Sequence, residues 1–262
     1  MIEIINVELF GVQLFLVVIL LAFICEFIDS TLGMGYGTAL TPVLMLFGFE
    51  ALAIVPCILL SELITGITAG LAHHKVGNVN FKRGSIHLKI AIMLAACSII
   101  GATIAVFIAI SIPKLWLDIY IGLMVLGMGV IIVLTINKEF KFSWKKIIGL
   151  GSIAAFNKGM SGGGYGPVVT GGQILSGVQG NNAIGITSLA EGLTCIVGVI
   201  VFIVSPEIVN WELAPSLIIG ALMSVPFSAF IVKKLPTKSL KISIGIITLI
   251  LGVVTLIKIV YF

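Results

Sequence analysis

The chain has 262 residues, of which 59% are apolar and only 10% are charged. An ordinary globular domain needs about 25% charged residues to cover its surface, so this composition excludes a soluble enzyme and predicts a polytopic membrane protein. The apolar runs fill nearly the whole chain and leave no room for the nucleotide-binding domain of an ATP-driven pump.

The apolar runs, taken in chain order, predict helices of two lengths. A helix needs about 20 residues to cross a bilayer, and a run of about 11 residues reaches only half of the hydrocarbon thickness. The first run, 9–28, is long enough to span, and its first turns also suit the membrane interface. The runs that follow are 38–48 (short), 52–72, 86–110, 115–136, 146–157 (short), 165–177 (short), 181–204, 212–232 and 241–262.

Basic residues concentrate in three of the interruptions between these runs, with four in each. Because Lys and Arg resist translocation, the three loops are expected to be cytoplasmic and both termini outside, in a plasma-membrane protein. A nucleic-acid role for these residues is disfavoured. His73, His74 and His87 lie in the first basic loop and are expected to be solvated. The basic residues are Lys75, Lys82, Arg83, Lys89; Lys138, Lys141, Lys145, Lys146; and Lys233, Lys234, Lys238, Lys241.

The chain contains an internal duplication. A shift of 129 residues superposes Gly33, Gly35, Tyr36, Gly37 and Thr41 on Gly162, Gly164, Tyr165, Gly166 and Thr170, and it places Glu62 on Glu191. We therefore predict a first transmembrane repeat at 1–137, a cytoplasmic linker at 138–146 and a second repeat at 147–262. Since the first copy starts outside and ends in the cytoplasm, the two repeats are predicted to be inverted.

Glycine-rich breaks lie between short apolar segments in both copies, as GMGYGT at 33–38 and SGGGYGP at 161–167. Glycines let several backbone N–H groups point into one concavity, and the following half-helix adds the positive end of its dipole, so both breaks suit an anion. The alternative is that the G-x-x-x-G spacing only allows close helix packing. Neither loop completes a nucleotide-binding pattern, so no cofactor is expected.

Five charged residues lie within or directly beside the apolar runs, away from the basic loops and the outer helix ends, and form the short list for function. A carboxylate within a membrane helix is costly and usually belongs to an ion or proton pathway, so Glu62 and Glu191, with Asp29, are the candidates for proton coupling. The alternative is a purely structural role, in which each Glu is neutral and hydrogen-bonded to the exposed backbone of a broken helix. Lys158 either faces the anion or pairs with Asp29. The short list is Glu26, Asp29, Glu62, Lys158 and Glu191.

At these residues the sequence resembles the TauE/SafE family of sulfite and organosulfonate exporters. The resemblance rests on the Asp-x-x-x-Gly-x-Gly segment from Asp29 with Pro42, on the stretch from Lys75 through Asn80, and on the loop from Gly162 to Pro167. It implies a multi-pass carrier of small sulfur-containing or carboxylate anions.

Together these features predict an all-α secondary transporter with inverted repeats and broken half-helices, which exports or exchanges a small anion. The alternatives are a passive anion channel and, from another class, an intramembrane protease using Ser161, which is disfavoured because it lacks an intramembrane His. We expect no enzymatic activity and no metal site, and we expect as partners a small inorganic or organic anion and the lipid bilayer, with a homodimer as one compatible assembly. The predicted substrate-binding residues are Gly33, Gly35, Tyr36, Gly37, Thr38, Asn157, Lys158, Ser161, Gly162, Gly164, Tyr165 and Gly166.

Overall fold

The computed structural model describes residues 6–9, 12–33, 36–134, 144–175, 178–204, 210–232 and 237–261. Apart from one antiparallel hairpin of two short strands, the elements in these ranges are helices, which confirms the all-α prediction. Five of the helices, α3, α4, α5, α8 and α9, are long and apolar enough to cross a membrane. The elements are β1 (Asn6–Leu9), β2 (Val12–Phe15), α1 (Leu16–Leu32), α2 (Tyr36–Leu46), α3 (Ala51–Val76), α4 (Ile86–Ser111), α5 (Lys114–Leu134), α6 (Trp144–Ser161), α7 (Tyr165–Leu175), α8 (Gly180–Val204), α9 (Ala214–Ile231) and α10 (Thr237–Tyr261).

Two element predictions need correction. The run at 9–28 does not begin as a helix, because its first residues belong to the β-hairpin, whose Phe15 N–H donates to Ser216 Oγ at 3.0 Å. The run at 146–157 is not a half-helix either, because α6 has 18 residues and continues through Lys158 to Ser161. A charge ended the predicted run, yet the helix goes on because its polar side chains find partners inside the protein.

Each end of the helix bundle is marked by a contact between a loop residue and the end of a helix. At one, the Glu50 end, the carboxylate of Glu50 pairs with Lys114 at 2.7 Å. At the other, the Asn78 end, the Asn78 amide donates to the carbonyl of Ala229 at 2.9 Å. Helix α3 connects the two ends, since it starts after Glu50 and stops before Asn78. The predicted linker lies mostly outside the described residues.

The two broken segments form helical hairpins that enter the bundle from opposite ends. The rings of Phe15, before α1, and Phe49, after α2, are 6.4 Å apart, so the α1–α2 hairpin opens at the Glu50 end. Ile147 near the start of α6 and Val178 after α7 belong to the same hydrophobic cluster as Val79, so the α6–α7 hairpin opens at the Asn78 end. The tips of the two hairpins therefore meet inside the bundle.

Helix packing repeats between the two copies. Helix α1 packs on α9 and, at the equivalent place, α6 packs on α4; α3–α9 likewise corresponds to α8–α4. Helices α3 and α8 are equivalent in the two repeats and contact each other, and so do the equivalent helices α5 and α10. This pattern is typical of two repeats related by an approximate two-fold axis, and the inverted orientation across the membrane stays a prediction.

Candidate functional site

The tips of the two hairpins are in direct backbone contact. A Cβ atom on Gly163 would lie 2.5 Å from the backbone nitrogen of Thr38, and one on Gly37 would overlap the carbonyl oxygen of Gly162. Backbone cannot move away as a flexible side chain can, so only glycine fits at these two positions. Close approach of the copies is therefore one role of the glycine-rich breaks.

Three hydrogen bonds join the tips. The N–H of Gly164 donates to Thr38 Oγ1 at 2.8 Å. The hydroxyl of Thr41 donates to the carbonyl of Ser161 at 2.8 Å, and the hydroxyl of Thr170 donates to the carbonyl of Gly33 at 2.7 Å. Because Thr41 and Thr170 are equivalent in the two repeats, the last two bonds are nearly reciprocal. The threonines thus bond one copy to the other.

Several N–H groups of the glycine breaks are engaged within the protein. Gly33, at φ 67°, donates to the carbonyl of Asp29, and Gly162, at φ 71°, donates to that of Lys158 at 2.8 Å. Gly163 donates to Ser161 Oγ at 3.2 Å. These three N–H groups are bonded within their own hairpins and are not available to an anion in this conformation. Gly35 lies outside the described residues, and Gly166 is buried in the first turn of α7.

Lys158 is the positive centre of the buried region, with only 1% of its surface exposed. Its ammonium group forms ion pairs with Glu62 on α3 and with Glu191 Oε1 on α8, the latter at 2.7 Å. Glu62 and Glu191 therefore lie close together, on one ammonium group. A direct ion pair between Lys158 and Asp29 is not observed, because the ion pairs of Lys158 within the described ranges are with the two glutamates.

Asp29 belongs to the same cluster. One oxygen atom each of Asp29, Glu62 and Glu191 lie within 4.8 Å of one another, a spacing that suits a cation. The Lys158 ammonium already binds two of these carboxylates, so the protein supplies that cation itself. Asp29 also interacts with the N–H of Tyr36. The Asp29 carboxylate therefore supplies the negative charge at the N-terminus of α2. We call Glu26, Asp29, Glu62, Lys158 and Glu191 the ion cluster.

A close helix crossing brings the two glutamates together. A Cβ on Gly66 would lie 2.8 Å from the Cα of Gly192, so α3 and α8 touch through glycine one turn from Glu62 and beside Glu191. Larger residues at this crossing would push the helices apart and separate the two carboxylates from their shared ammonium.

Hydroxyl groups surround Glu26, the fourth carboxyl group of the ion cluster. Ser30 Oγ donates to Glu26 Oε1 at 2.6 Å, and Thr65 Oγ1 lies 3.5 Å from Glu26 Oε2. Ser61, one turn before Thr65, bonds through its hydroxyl to that of Tyr36 at 2.9 Å. These contacts link the cluster to the start of α2.

The ion cluster leaves almost no free space. Its carboxylates, with Thr65, Gly66 and Ser188, line a cavity of about 10 Å³. That volume is close to the minimum for one water molecule. The cluster is therefore closed to an anion in this conformation.

Two predicted site residues beside the cluster bond elsewhere, and a third, Tyr165, is buried next to it. Asn157 Oδ1 accepts from the hydroxyl of Tyr120 at 2.7 Å. Ser161 Oγ donates to the carbonyl of Asn157 at 2.8 Å, away from the Lys158 ammonium that a protease of this kind would need as its base. Tyr165 is buried, with its hydroxyl close to Thr194.

His73 is not in a solvated loop, contrary to the prediction. It lies in the last turn of α3, fully buried, where its Nε2–H donates to the carbonyl of Ser30 at 2.9 Å and its Nδ1 accepts from the Asn78 amide at 3.0 Å. The helix extends four residues beyond the predicted run and so draws this histidine into the bundle. It joins α1 and α3 at the Asn78 end.

The partners of the ion cluster were the part of the site that sequence reasoning missed. Ser30, Ser61 and Thr65 were not singled out, although Ser30 follows Glu26 by four residues and Thr65 follows Glu62 by three, so each shares a helix face with its glutamate. Their helical spacing from a short-listed carboxylate is the signal that points to them.

Comparison with known proteins identifies the family to which the chain belongs. Residues 18–255 match the family model described as "Sulfite exporter TauE/SafE". The chain is also 27% identical over 247 residues to the "Probable membrane transporter protein YtnM" of Bacillus subtilis (strain 168), a match that covers 89% of this chain and 79% of that protein. No solved structure matches the chain. Since the family model covers most of the chain, including both hairpins and the ion cluster, the protein belongs to the TauE/SafE sulfite exporter family of membrane transporters.

Proposed function

We propose that the protein is a secondary transporter that exports small anions such as sulfite, organosulfonates and related sulfur-containing or carboxylate anions. The observation that carries this proposal is the buried Lys158 ammonium, which holds two carboxylates where the hairpin tips meet. A sulfite, a sulfonate and a free carboxylate all offer anionic oxygens of the same kind, so each can take the place of a glutamate on Lys158.

Separation of the hairpin tips would open the site. It would release the N–H of Gly164 from Thr38 and the carbonyls of Gly33 and Ser161 from their threonines. The freed N–H of Gly164, with the nearby hydroxyl groups and the Asn157 amide, then completes the anion's hydrogen bonds. Glu62, Glu191 and Asp29 are the carboxylates among which the proton-coupling group is to be found.

We infer that the Asn78 end of the bundle faces the cytoplasm, in the plasma membrane, with the Glu50 end and both termini outside. The support is the basic loop at the Asn78 end, where Lys75, Lys82 and Arg83 are exposed. The Glu50 end carries a balanced ion pair, Glu50 with Lys114. Positive residues on the cytoplasmic side are the rule for short loops.

Counterflow in proteoliposomes tests the proposal. Vesicles containing the purified protein are loaded with unlabelled sulfite, methanesulfonate or acetate, and uptake of the same labelled anion is measured. We expect saturable uptake that the internal anion stimulates, and little uptake by Lys158→Met combined with Glu191→Gln, a pair that removes one charge of each sign. Lys82→Met, on the exposed loop, is the matched control.

Two outcomes would contradict this proposal. If none of the three anions enters faster than into protein-free vesicles, the protein does not transport this class of anion. If uptake rises in proportion to concentration and ignores the internal anion, the protein is a channel and not a carrier.

A further inference from the structure

We propose that the transported anion and a proton bind together, with Glu62 as the proton acceptor, so that the carrier moves both in the same direction. This inference rests on the proposed anion transport and specifies its coupling. It follows from the space, the contacts and the charges of the ion cluster.

The ion cluster has no room for an additional anion. The cavity inside the ion cluster measures about 10 Å³, and Lys158 is only 1% exposed. An anion cannot join the ammonium beside both glutamates in so little room. It reaches Lys158 only by replacing one of the two carboxylates.

One of the two carboxylates on Lys158 must leave the ammonium group. Glu191 lies at the 2.7 Å distance of a good charge-assisted hydrogen bond. Glu62 also binds Lys158 through one oxygen, Oε2, which accepts from the Cys195 thiol at 3.9 Å as well, but its other oxygen, Oε1, is buried and has no hydrogen-bond partner among the described residues. Glu62 is therefore the carboxylate that gives up Lys158, and its unpartnered oxygen is free to accept a proton.

Protonation of Glu62 balances the charge of the incoming anion. A buried carboxylate that has lost its cation is strongly destabilised. One proton added to a carboxylate oxygen of Glu62 makes it a neutral carboxylic acid, and no covalent bond other than the new O–H changes. The negative charge that Glu62 loses equals the one that a monovalent anion brings, so the net charge of the cluster is the same before and after binding.

The other groups that face the cluster do not supply this balance. No second cation appears among them in the described part of the chain, so Lys158 cannot hold the anion and both glutamates at full charge. Helix α9, which also packs on α3, has no titratable residue between Ala214 and Ile231. The titratable neighbours of Lys158, Glu62 and Glu191 are Cys25, Glu26 and Asp29 on α1, Tyr36 on α2, Tyr165 on α7 and Cys195 on α8.

A monovalent anion that moves with one proton carries no net charge, so the membrane potential neither drives nor opposes it. The anion gradient and the pH gradient alone set the direction of transport. By reciprocity, anion binding becomes tighter as the pH falls, because the proton and the anion favour each other's binding.

Methanesulfonate and isethionate are suitable probes because they are anions of strong acids and carry no proton of their own. Proteoliposomes containing the wild-type protein and an internal pH dye receive one of these anions from outside. We expect internal acidification by one proton per anion, and about tenfold accumulation for one pH unit, acid outside. A potassium diffusion potential set with valinomycin should leave the rate unchanged.

Glu62→Gln is the decisive variant, because its side chain is neutral without a proton. It should still transport the sulfonate, without acidification and with a rate that an inside-positive potential now raises. Glu191→Gln should stay proton-coupled, and Glu50→Gln, on the exposed surface, is the matched control and should behave as wild type. Internal alkalinisation by the wild type, or acidification that persists in Glu62→Gln, would overturn the inference. If no sulfite or sulfonate enters at all, the proposed anion transport itself is wrong.

Discussion

Lys158 and Glu191 form a 2.7 Å ion pair between α6 and α8, although their side chains are only 1% and 6% exposed. Lys158 occupies the repeat position of Asp29, so the two copies place opposite charges at equivalent points, and both residues reach the same cluster. A duplication that kept the aspartate in both copies would leave this cluster without a cation. Divergence at this position is therefore what makes the buried carboxylates tolerable.

Replacing Lys158 should destabilise the protein strongly. Lys158→Met leaves Glu62 and Glu191 without a cation, and breaking a buried ion pair by removing one partner costs about 3–5 kcal/mol. Thermal unfolding of the purified protein in detergent measures the loss, and Lys82→Met, on the exposed loop, should change little. Adding Glu191→Gln should recover part of the stability; no recovery would mean that the ion pair contributes little.

The crossing of α3 and α8 should not tolerate a methyl group. In Gly66→Ala the new Cβ would lie 2.8 Å from the Cα of Gly192, so the helices must shift, at a cost of about 1–3 kcal/mol. Transport should fall with stability, because Glu62 and Glu191 sit on these helices. Gly127→Ala on α5 meets nothing within 4 Å and is the control; equal behaviour of the two variants would argue against a tight crossing.

The hydrogen bond from Thr170 to Gly33 should stabilise the closed contact between the hairpins. Thr170→Val keeps the shape of the side chain but leaves the buried Gly33 carbonyl unpaired, which costs about 1–3 kcal/mol. Thr103→Val is the matched control, since the exposed Thr103 hydroxyl bonds only to its own helix. Hydrogen exchange at the hairpin tips should rise in the first variant and stay unchanged in the second.

Lys258 should stabilise the end of α2. Its ammonium donates to the carbonyl of Met45 at 2.6 Å, where the helix dipole is negative, so Lys258→Met should lower the unfolding free energy by about 1 kcal/mol. Lys114→Met breaks the exposed pair with Glu50 and should cost less, because exposed ion pairs contribute about 0–1 kcal/mol. Denaturant titration of both variants makes the comparison; a larger loss in Lys114→Met would reverse the assignment.

The proposed orientation predicts which end of the bundle is reached from outside the cell. In intact cells a membrane-impermeant maleimide should label Glu50→Cys but not Arg83→Cys, and both should react after the membrane is permeabilised. The native cysteines offer little background, because Cys25, Cys57 and Cys195 are buried, and Cys97→Ser removes the partly exposed one. The opposite labelling pattern would reverse the proposed orientation.

The long helices could be predicted because their apolar runs are set by the thickness of the bilayer, whatever their neighbours. For α4 and α8 the predicted and observed bounds differ by at most one residue. Prediction was wrong where polar residues continued a helix, as at the end of α6 and around His73. Their desolvation is offset by partners from other helices, and no local pattern shows those partners.

The sequence by itself determined the membrane class, the duplicated glycine breaks and the short list of five buried charges, because composition, repetition and charge scarcity do not depend on the fold. Only the tertiary structure decided that Lys158 binds Glu62 and Glu191 and not Asp29. It also decided that the glycines at the tips bring the two copies into contact. The physical reason is that a buried charge is tolerated through contacts between helices far apart in the chain, and their distances are set by packing.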